Sequence, residues 1–393
     1  FVTPRIPNPS LEDFDRVDLS IEAGILANYY SFKVLGKQAV KWFILPMVED
    51  ANVVRLVQRL IIRKLAVISE ELNTKMEPVQ LIPLVEDTHR HMLIHDYITT
   101  LISVLKEFNV EFETMRVFLG KSDAAVRSGH IASALSVMYA LSELHKLSKE
   151  VEVEIKPIIG MGIPPFRGAL NNSELVEYIV QRYRGFSTAT IQSAVRYDVP
   201  FKDYLLVREH ILSAIETAPR SMNIDIVEVV ESATKAYRNF AMRYVDIIQR
   251  IANVVPGTRD RISWKAYGRI LPSQEEALSV PRAIVYTSAW YAAGVPPIYL
   301  DADYIIELYK RDKLDELLKL IPYLEKEWTY DARYYVPDVA RNRLDEEIVK
   351  KIGEALDIRG IKPEPLEVYK SLIELNPVEP HIIALGRIRG FLG

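Results

Sequence analysis

The feature that most constrains the fold is an alternation of short apolar runs with longer amphipathic stretches. Strand-length apolar runs occur in the first half of the chain at 42–46, 79–84, 115–119, 155–159 and 188–192. Segments with helical periodicity separate them, near 51–72, 88–108, 130–148 and 173–184. Apolar strands separated by helices of this length predict crossover units and therefore a parallel β-sheet.

Such a sheet is either closed into an α/β barrel or left open and doubly wound. The strand–helix unit recurs without the glycine fingerprint of dinucleotide-binding sheets, so we predict a TIM-type (β/α)8 barrel. After about residue 200 the pattern is almost wholly helical, with segments near 203–218, 222–254, 273–292, 301–320, 344–356 and 365–375. We therefore expect the strand–helix repeats of the barrel over 1–200. A large helical elaboration over 201–393 is expected to complete the barrel and the oligomer contacts.

Composition excludes several classes of protein. The chain has 393 residues and no cysteine, which rules out disulfides, thiolate nucleophiles and zinc–thiolate sites. A net charge of −4 gives no electrostatic basis for binding nucleic acid or an anionic membrane. No apolar run is long enough to span a bilayer and no signal peptide is recognisable, so we expect a soluble, cytoplasmic protein. The lack of cysteine beside 26% charged residues favours a thermophilic source.

Two acidic residues follow apolar strands directly. Glu86 comes after the second run and Asp123 after the third. The active site of an α/β barrel lies at the carboxyl ends of its strands, and Mg²⁺ is usually held by one or two carboxylates. These acids are therefore candidate metal ligands. The alternative is helix capping, by Asp123 for the helix after it and by Glu86 or Asp87 for the preceding one.

A glycine-rich loop follows the fourth run, at 160–168. Its small residues let the backbone approach a ligand closely, and Arg167 is placed to bind a carboxylate or phosphate in a bidentate manner. The loop lacks the Gly-Lys-Ser/Thr ending of a P-loop. Glycine and proline also mark ordinary turns, so the loop alone does not identify a site.

Other arginines at structured positions are candidate anion ligands: Arg5, Arg196, Arg269 and Arg282. Arg282 follows Pro281 at the head of an apolar helical stretch, where a cation indicates a nearby anion. For any single arginine, however, a surface ion pair is the more common role.

Three histidines lie within one predicted helical region, at 89, 91 and 95. His91 and His95 share a helix face, but the glutamate of a zinc H-E-x-x-H motif is absent. We therefore expect an exposed helix start and no transition-metal site.

Taken together, the motifs resemble the archaeal-type phosphoenolpyruvate carboxylases. The matching segments are FVTPRIPNP at 1–9, LIPLVED at 81–87, FLGKSDAAVRSG at 118–129, PIIGMGIPPFRGAL at 157–170, TIQSAVRYD at 190–198, VPRAIVYTSAWYAAGVPP at 280–297 and RIRGFLG at 387–393. They occur in the family's order along the whole chain. The PFRG segment and the SD motif are specific in combination.

The resemblance implies carboxylation of phosphoenolpyruvate by bicarbonate with Mg²⁺ or Mn²⁺, in a homotetramer. It implies that Glu86 and Asp123 bind the metal. It implies that Arg5, Arg167 and Arg282 are catalytic. It implies substrate binding for four further residues: Arg269, Arg196, Gln192 and Gly168. The family's general-base histidine is expected in a segment upstream of Phe1.

Two other classes of function stay open at this point. A C–C lyase acting on a pyruvate-like substrate through Mg²⁺ would also place acids after barrel strands, but it needs fewer arginines because its substrate loses no phosphate. A non-catalytic scaffold of the same fold is the second alternative. Phosphate release separates the carboxylase from the lyase, and Mg²⁺-dependent phosphoenolpyruvate binding separates it from the scaffold.

Overall fold

A computed structural model describes residues 1–223, 225–256 and 281–392, and the backbone of 269–272 and 277–280. One sheet carries the strands of the first half of the chain: β1 Trp42–Leu45, β2 Gln80–Val85, β3 Thr114–Gly120, β4 Glu154–Gly160 and β5 Thr188–Ala189. They lie in sequence order, β1-β2-β3-β4-β5, and every neighbouring pair is parallel. The predicted parallel sheet is confirmed.

The segment before β1 extends this sheet. Val2 forms a parallel bridge with Val40, and Arg5 forms one with Ile44 in β1. The Ile6 N–H donates to the Ile44 carbonyl at 3.0 Å. The first residues therefore lie along the outer edge of β1 in the same direction as the other strands.

Helices connect and cover the strands of the sheet. They are α1 Phe14–Leu35, α2 Ala51–Glu71, α3 Thr88–Met92, α4 Ile94–Glu107, α5 Lys121–Glu150, α6 Val176–Arg182 and α7 Ser193–Tyr197. Helix α1 is absent from the sequence prediction. The predicted helix over 88–108 is two helices, because the chain turns at Leu93.

The later part of the chain is mostly helical, as predicted. Its helices are α8 Phe201–Ala214, α9 Ile226–Ala241, α10 Val245–Ala252, α11 Ala283–Ala292, α12 Ala302–Lys310, α13 Leu314–Leu320, α14 Leu324–Asp331, α15 Pro337–Arg343, α16 Glu346–Ile358, α17 Glu367–Ile373 and α18 Glu379–Arg389. None of the helices in the described part of the chain combines the length and apolar character needed to cross a membrane.

The predicted helical segments 222–254 and 301–320 are each divided, the first into α9 and α10 and the second into α12 and α13, and two further elements are wrong in part. The helix predicted over 273–292 begins only at Ala283, and an antiparallel pair precedes it, β6 Arg269–Pro272 and β7 Ala277–Val280. Pro281 disfavours a helical conformation for the residue before it, so the helix cannot extend back across that point. The fifth predicted strand, 188–192, ends at Ala189.

Helix α5 lies between the sheet and the later helices, packing against β4 and α9. It contains a break at Gly129, whose φ of 84° and ψ of 174° are not helical. Asp301 caps the second half, since its Oδ2 accepts the Ile131 N–H at 2.8 Å. A Cβ at position 129 would lie 2.8 Å from Cγ of Tyr237, so the close packing at this break requires glycine.

Candidate functional site

The predicted site residues follow the carboxyl ends of four adjacent parallel strands. Glu86 comes directly after β2, Asp123 lies in the first turn of α5 after β3, and the glycine-rich loop follows β4. Gln192 comes shortly after β5. Because the strands are parallel and neighbouring, their carboxyl ends meet at one edge of the sheet, where α/β enzymes place their active sites.

The two candidate metal ligands lie on neighbouring strand ends. Val85 pairs with Leu119 in the sheet, one residue before Glu86. A Cβ added to Gly120 would lie 2.9 Å from Cγ of Glu86, so the glutamate side chain crosses the end of β3. Both carboxyl side chains are half-buried. The edge of the sheet therefore presents two carboxylates on adjacent strands.

The acidic residue that caps a helix here is Asp87, and not Glu86 or Asp123. Asp87 is the N-cap of α3, and its carboxylate accepts the N–H groups of His89 at 3.0 Å and Arg90 at 3.3 Å. Helix α5 has Gly120 as its N-cap and no side-chain capping bond. Asp87 therefore caps a helix, as the alternative predicted, whereas Asp123 lies inside the first turn of α5 and is not its N-cap residue.

Arg167 is fully buried at the end of the glycine-rich loop. Its Nη2 donates to Oε1 of Gln192 at 2.8 Å, and its Nη1 lies 3.5 Å from the Phe391 carbonyl. Burial lowers the pKa of Arg167 to about 10, while the nearby charge of Asp123 acts in the opposite direction. The guanidinium thus lies within electrostatic range of Asp123 and in contact with Gln192.

The loop backbone is shaped around this arginine. The Gly162 N–H donates to the Arg167 carbonyl at 2.7 Å. A Cβ on Gly162 would lie 2.6 Å from Cβ of Arg167. Gly168 has a φ of 120°, and a Cβ there would lie 2.5 Å from Cβ of Met161. Both glycines are needed for the turn to close, and Gly168 is predicted to bind substrate as well.

Asn171 is a site residue that the sequence analysis missed. It is buried, and its Nδ2 donates to the carbonyls of Met161 at 2.7 Å and Thr190 at 3.2 Å. Its Oδ1 accepts the Gln192 N–H at 3.1 Å. These bonds replace the sheet ladder where the predicted fifth strand ends early. Only its position just after the PFRG segment hinted at this role.

The other predicted arginines occupy different places. Arg5 lies beside β1, Arg196 lies in α7 with its guanidinium 5.1 Å from the Tyr197 ring centroid, and Arg282 is the N-cap of α11. All three side chains are exposed. The side chain of Arg269, which begins β6, lies outside the described residues.

The histidine region agrees only in part with the prediction of an exposed helix start, since His89 and His95 are exposed and His91 is not. His91 is fully buried, with Nδ1 3.0 Å from Oγ of Ser136 and Nε2 3.1 Å from the Val85 carbonyl. Burial lowers the pKa of His91 to about 4. Within the described residues, no group of three or more histidine, aspartate or glutamate side chains is arranged to hold a metal. His91 therefore has a structural role between α3 and α5.

Comparison with known proteins decides the family. The family model described as phosphoenolpyruvate carboxylase matches residues 1–393, the whole chain. The chain belongs to the phosphoenolpyruvate carboxylase family. The predicted family and the predicted enzyme class, a carboxy-lyase, are confirmed.

Individual relatives agree with this family. A phosphoenolpyruvate carboxylase of Thermofilum pendens is 51% identical over 393 residues, covering 100% of this chain and 85% of the relative. One of Pyrobaculum islandicum is 45% identical over 394 residues, with the same coverage of both chains. One of Methanosarcina mazei is 30% identical over 430 residues, covering 98% of this chain and 80% of the relative.

Proposed function

We propose that this chain carboxylates phosphoenolpyruvate with bicarbonate, giving oxaloacetate and orthophosphate. Bicarbonate supplies the new carboxylate carbon, and the phosphoryl group of the substrate leaves as orthophosphate. The observation that carries the proposal is the family match over every residue of the chain. The carboxylates and the buried guanidinium at one sheet edge are the groups that such a reaction needs, because it moves negative charge between a phosphate, an enolate and bicarbonate.

We propose that Glu86 and Asp123 hold the divalent metal, Mg²⁺ or Mn²⁺. The donors fit such an ion, since hard divalent cations prefer carboxylate oxygens and complete their coordination with water and substrate. Gly120 allows the two acids to come from adjacent strands without a side chain between them. A metal bound here supplies positive charge to oxygens of the substrate.

Arg167 is proposed to bind an anionic group of the substrate, with Gln192 fixing the direction of its guanidinium. A guanidinium suits this role because its planar set of donors matches the oxygens of a carboxylate or phosphate. Gly168 is proposed to bring the loop backbone close to the substrate. Two sets of roles are proposed from the family resemblance alone: Arg5 and Arg282 as catalytic groups, and Arg196, Arg269 and Gln192 as substrate ligands.

We further propose that the sheet closes into a (β/α)8 barrel over 1–200 and that 201–393 completes it. The strict sequence order of β1 to β5 supports closure, because doubly wound sheets reverse their strand order at a switch point. The parallel segment beside β1 adds a further strand-like element in the same order.

A homotetramer is proposed for the assembly, and the cytoplasm for its location. Helix α1 supports a subunit contact, because several of its large apolar side chains are exposed: Phe14, Leu19, Tyr30, Phe32, Val34 and Leu35. Tyr30 and Val34 lie one turn apart on the same face of this helix, and contiguous exposed apolar surface commonly marks protein interfaces. Light scattering on the eluate of a gel-filtration column measures the assembly directly, and a monomeric mass would contradict this proposal.

The activity is tested with protein expressed from the complete gene and purified, in the presence of phosphoenolpyruvate, bicarbonate and Mg²⁺. Oxaloacetate is followed through NADH oxidation by malate dehydrogenase, and orthophosphate is measured in the same samples. The proposal predicts equal amounts of both products, and neither product without the metal. Orthophosphate without oxaloacetate would indicate hydrolysis of phosphoenolpyruvate instead of carboxylation, and the absence of both products would contradict the proposed function.

A further inference from the structure

Lys121 is buried directly behind the loop that carries Arg167. It is the first residue of α5, it is 0% exposed, and its Nζ donates to the Phe166 carbonyl at 2.8 Å. Phe166 is the central residue of a 3-10 turn, Pro165–Arg167. Burying an amine is unfavourable unless it forms specific bonds, so this contact needs an explanation beyond packing.

A chain of buried polar side chains continues from Lys121. Its Nζ lies 3.1 Å from Nδ1 of His130, and Nε2 of that ring lies 2.9 Å from Oε2 of Glu327. Because Lys121 donates to Nδ1, the ring hydrogen lies on Nε2 and is donated to the carboxylate. Both His130 and Glu327 are 0% exposed. Both ring nitrogens of His130 are thus occupied, by Lys121 and by Glu327, and the ring links the lysine to α14.

Arg182 ends this chain of contacts. Its Nη1 donates to the same Oε2 of Glu327 at 2.8 Å, and its Nε and Nη2 donate to the Pro322 carbonyl at 2.9 and 2.6 Å. The network joins the β3–α5 junction to α6, α14 and the 3-10 turn. Buried ion pairs of this kind add little net stability compared with apolar packing, so a role in fixing geometry is the better explanation.

The turn that the network contacts also determines where the Arg167 guanidinium lies. The Phe166 carbonyl belongs to the peptide group that leads into Arg167, and Oγ of Ser122 lies 3.4 Å from the Arg167 carbonyl. The side chain then passes over Gly162 to reach Gln192. A displacement of this turn therefore moves the guanidinium relative to the rest of the site.

We infer that Lys121, supported by His130 and Glu327, is a positioning residue for Arg167. It does not touch the substrate, and it acts by holding the Phe166 carbonyl and thus the turn. The inference rests on the proposed function of Arg167 as an anion ligand. A displacement of about 1 Å at such a group costs on the order of 100-fold in rate, so loss of the lysine is expected to lower kcat strongly.

The test is a double-mutant cycle between Lys121 and Arg167. Lys121→Met keeps the length of the side chain and removes the donor. It is expected to lower kcat at least tenfold and to weaken orthophosphate binding measured by calorimetry. In an Arg167→Lys background the same change is expected to alter kcat and binding by less than about twofold, because residues that act as one unit are not additive.

Gln58→Met is the matched control. Gln58 is also 0% exposed, and it donates to the Val79 carbonyl at 3.2 Å and accepts the Leu81 N–H at 2.7 Å, near the amino end of β2. Its loss is expected to lower the melting temperature with kcat unchanged. If Lys121→Met behaves in this way, or if its effect is equally large in both backgrounds, the inference is overturned.

Two provisions keep the result decisive. If Lys121→Met does not fold, Glu327→Gln takes its place in the cycle. It is expected to lower kcat by a smaller factor than Lys121→Met, and to have little effect on kcat in the Arg167→Lys background. If the wild-type protein forms no oxaloacetate, the proposed function fails, while the orthophosphate titrations still decide the role of Lys121. Equal orthophosphate affinity in the wild type and the Lys121 variant would then overturn the inference.

Discussion

Replacing Gly162 by alanine tests whether the glycine-rich loop is built to place Arg167. The new Cβ would lie 2.6 Å from Cβ and 2.7 Å from Nη2 of Arg167. The optimal van der Waals separation of two non-bonded heavy atoms is about 3.5 Å, so the Arg167 side chain must move by about 1 Å. The backbone itself accepts alanine, because Gly162 is not among the residues with positive φ. A misplacement of this size lowers kcat/KM on the order of 100-fold.

The assay is steady-state carboxylation with a melting curve for each protein. Gly353→Ala is the matched control, because Gly353 lies in α16 with no heavy atom within 4 Å of the added Cβ. Alanine there is expected to leave kcat/KM unchanged and to stabilise the helix by up to about 1 kcal/mol. A Gly162→Ala protein with normal kcat/KM would refute the reasoning, as would a loss of activity fully explained by unfolding.

Two further predictions concern charge. Asp123→Asn is expected to lower Mg²⁺-dependent activity by at least about 10–100-fold with an unchanged melting curve. The control Asp345→Asn alters the cap of α16 and the bond from the Tyr244 hydroxyl, and it is expected to keep full activity. The second prediction concerns stability in acid, measured by urea unfolding between pH 4 and 7. The pKa of His91 is about 4 in the folded state against an ordinary 6.5, so the stability it contributes is complete above pH 6.5 and is lost toward pH 4, by about 3 kcal/mol. His91→Gln should flatten this acid dependence, and an unchanged slope would show that His91 does not titrate in this way.

The sequence predicts the sheet well, because its strands carry local signals. Each long strand is a continuous apolar run followed by a helix, and this pattern alone indicates buried parallel strands. The fifth strand is predicted too long, since its last residues bond to the Asn171 side chain instead of a neighbouring strand. A contact of this kind depends on tertiary structure and leaves no periodic signal.

The sequence predicts which kinds of residue form the candidate site, but it does not predict their contacts or their burial. Glu86, Asp123 and Arg167 follow strand ends, so the rule for parallel sheets places them at one edge. For an acidic residue after a strand, the sequence does not distinguish a helix-capping role from a metal-binding role. The structure distinguishes them for Asp87, because the hydrogen bonds by which its side chain caps α3 are present. Lys121 was passed over because burial, which makes it unusual, is not visible in the sequence.

The central claim is that Glu86, Asp123 and Arg167 form one site for a metal and an anionic substrate. A crystal structure with Mn²⁺ and phosphoenolpyruvate, using the anomalous signal of the metal, tests it most directly. We expect one Mn²⁺ bonded to both carboxylates and an anionic group of the ligand on the Arg167 guanidinium. A metal bound elsewhere, or a ligand that does not contact Arg167, would contradict the claim.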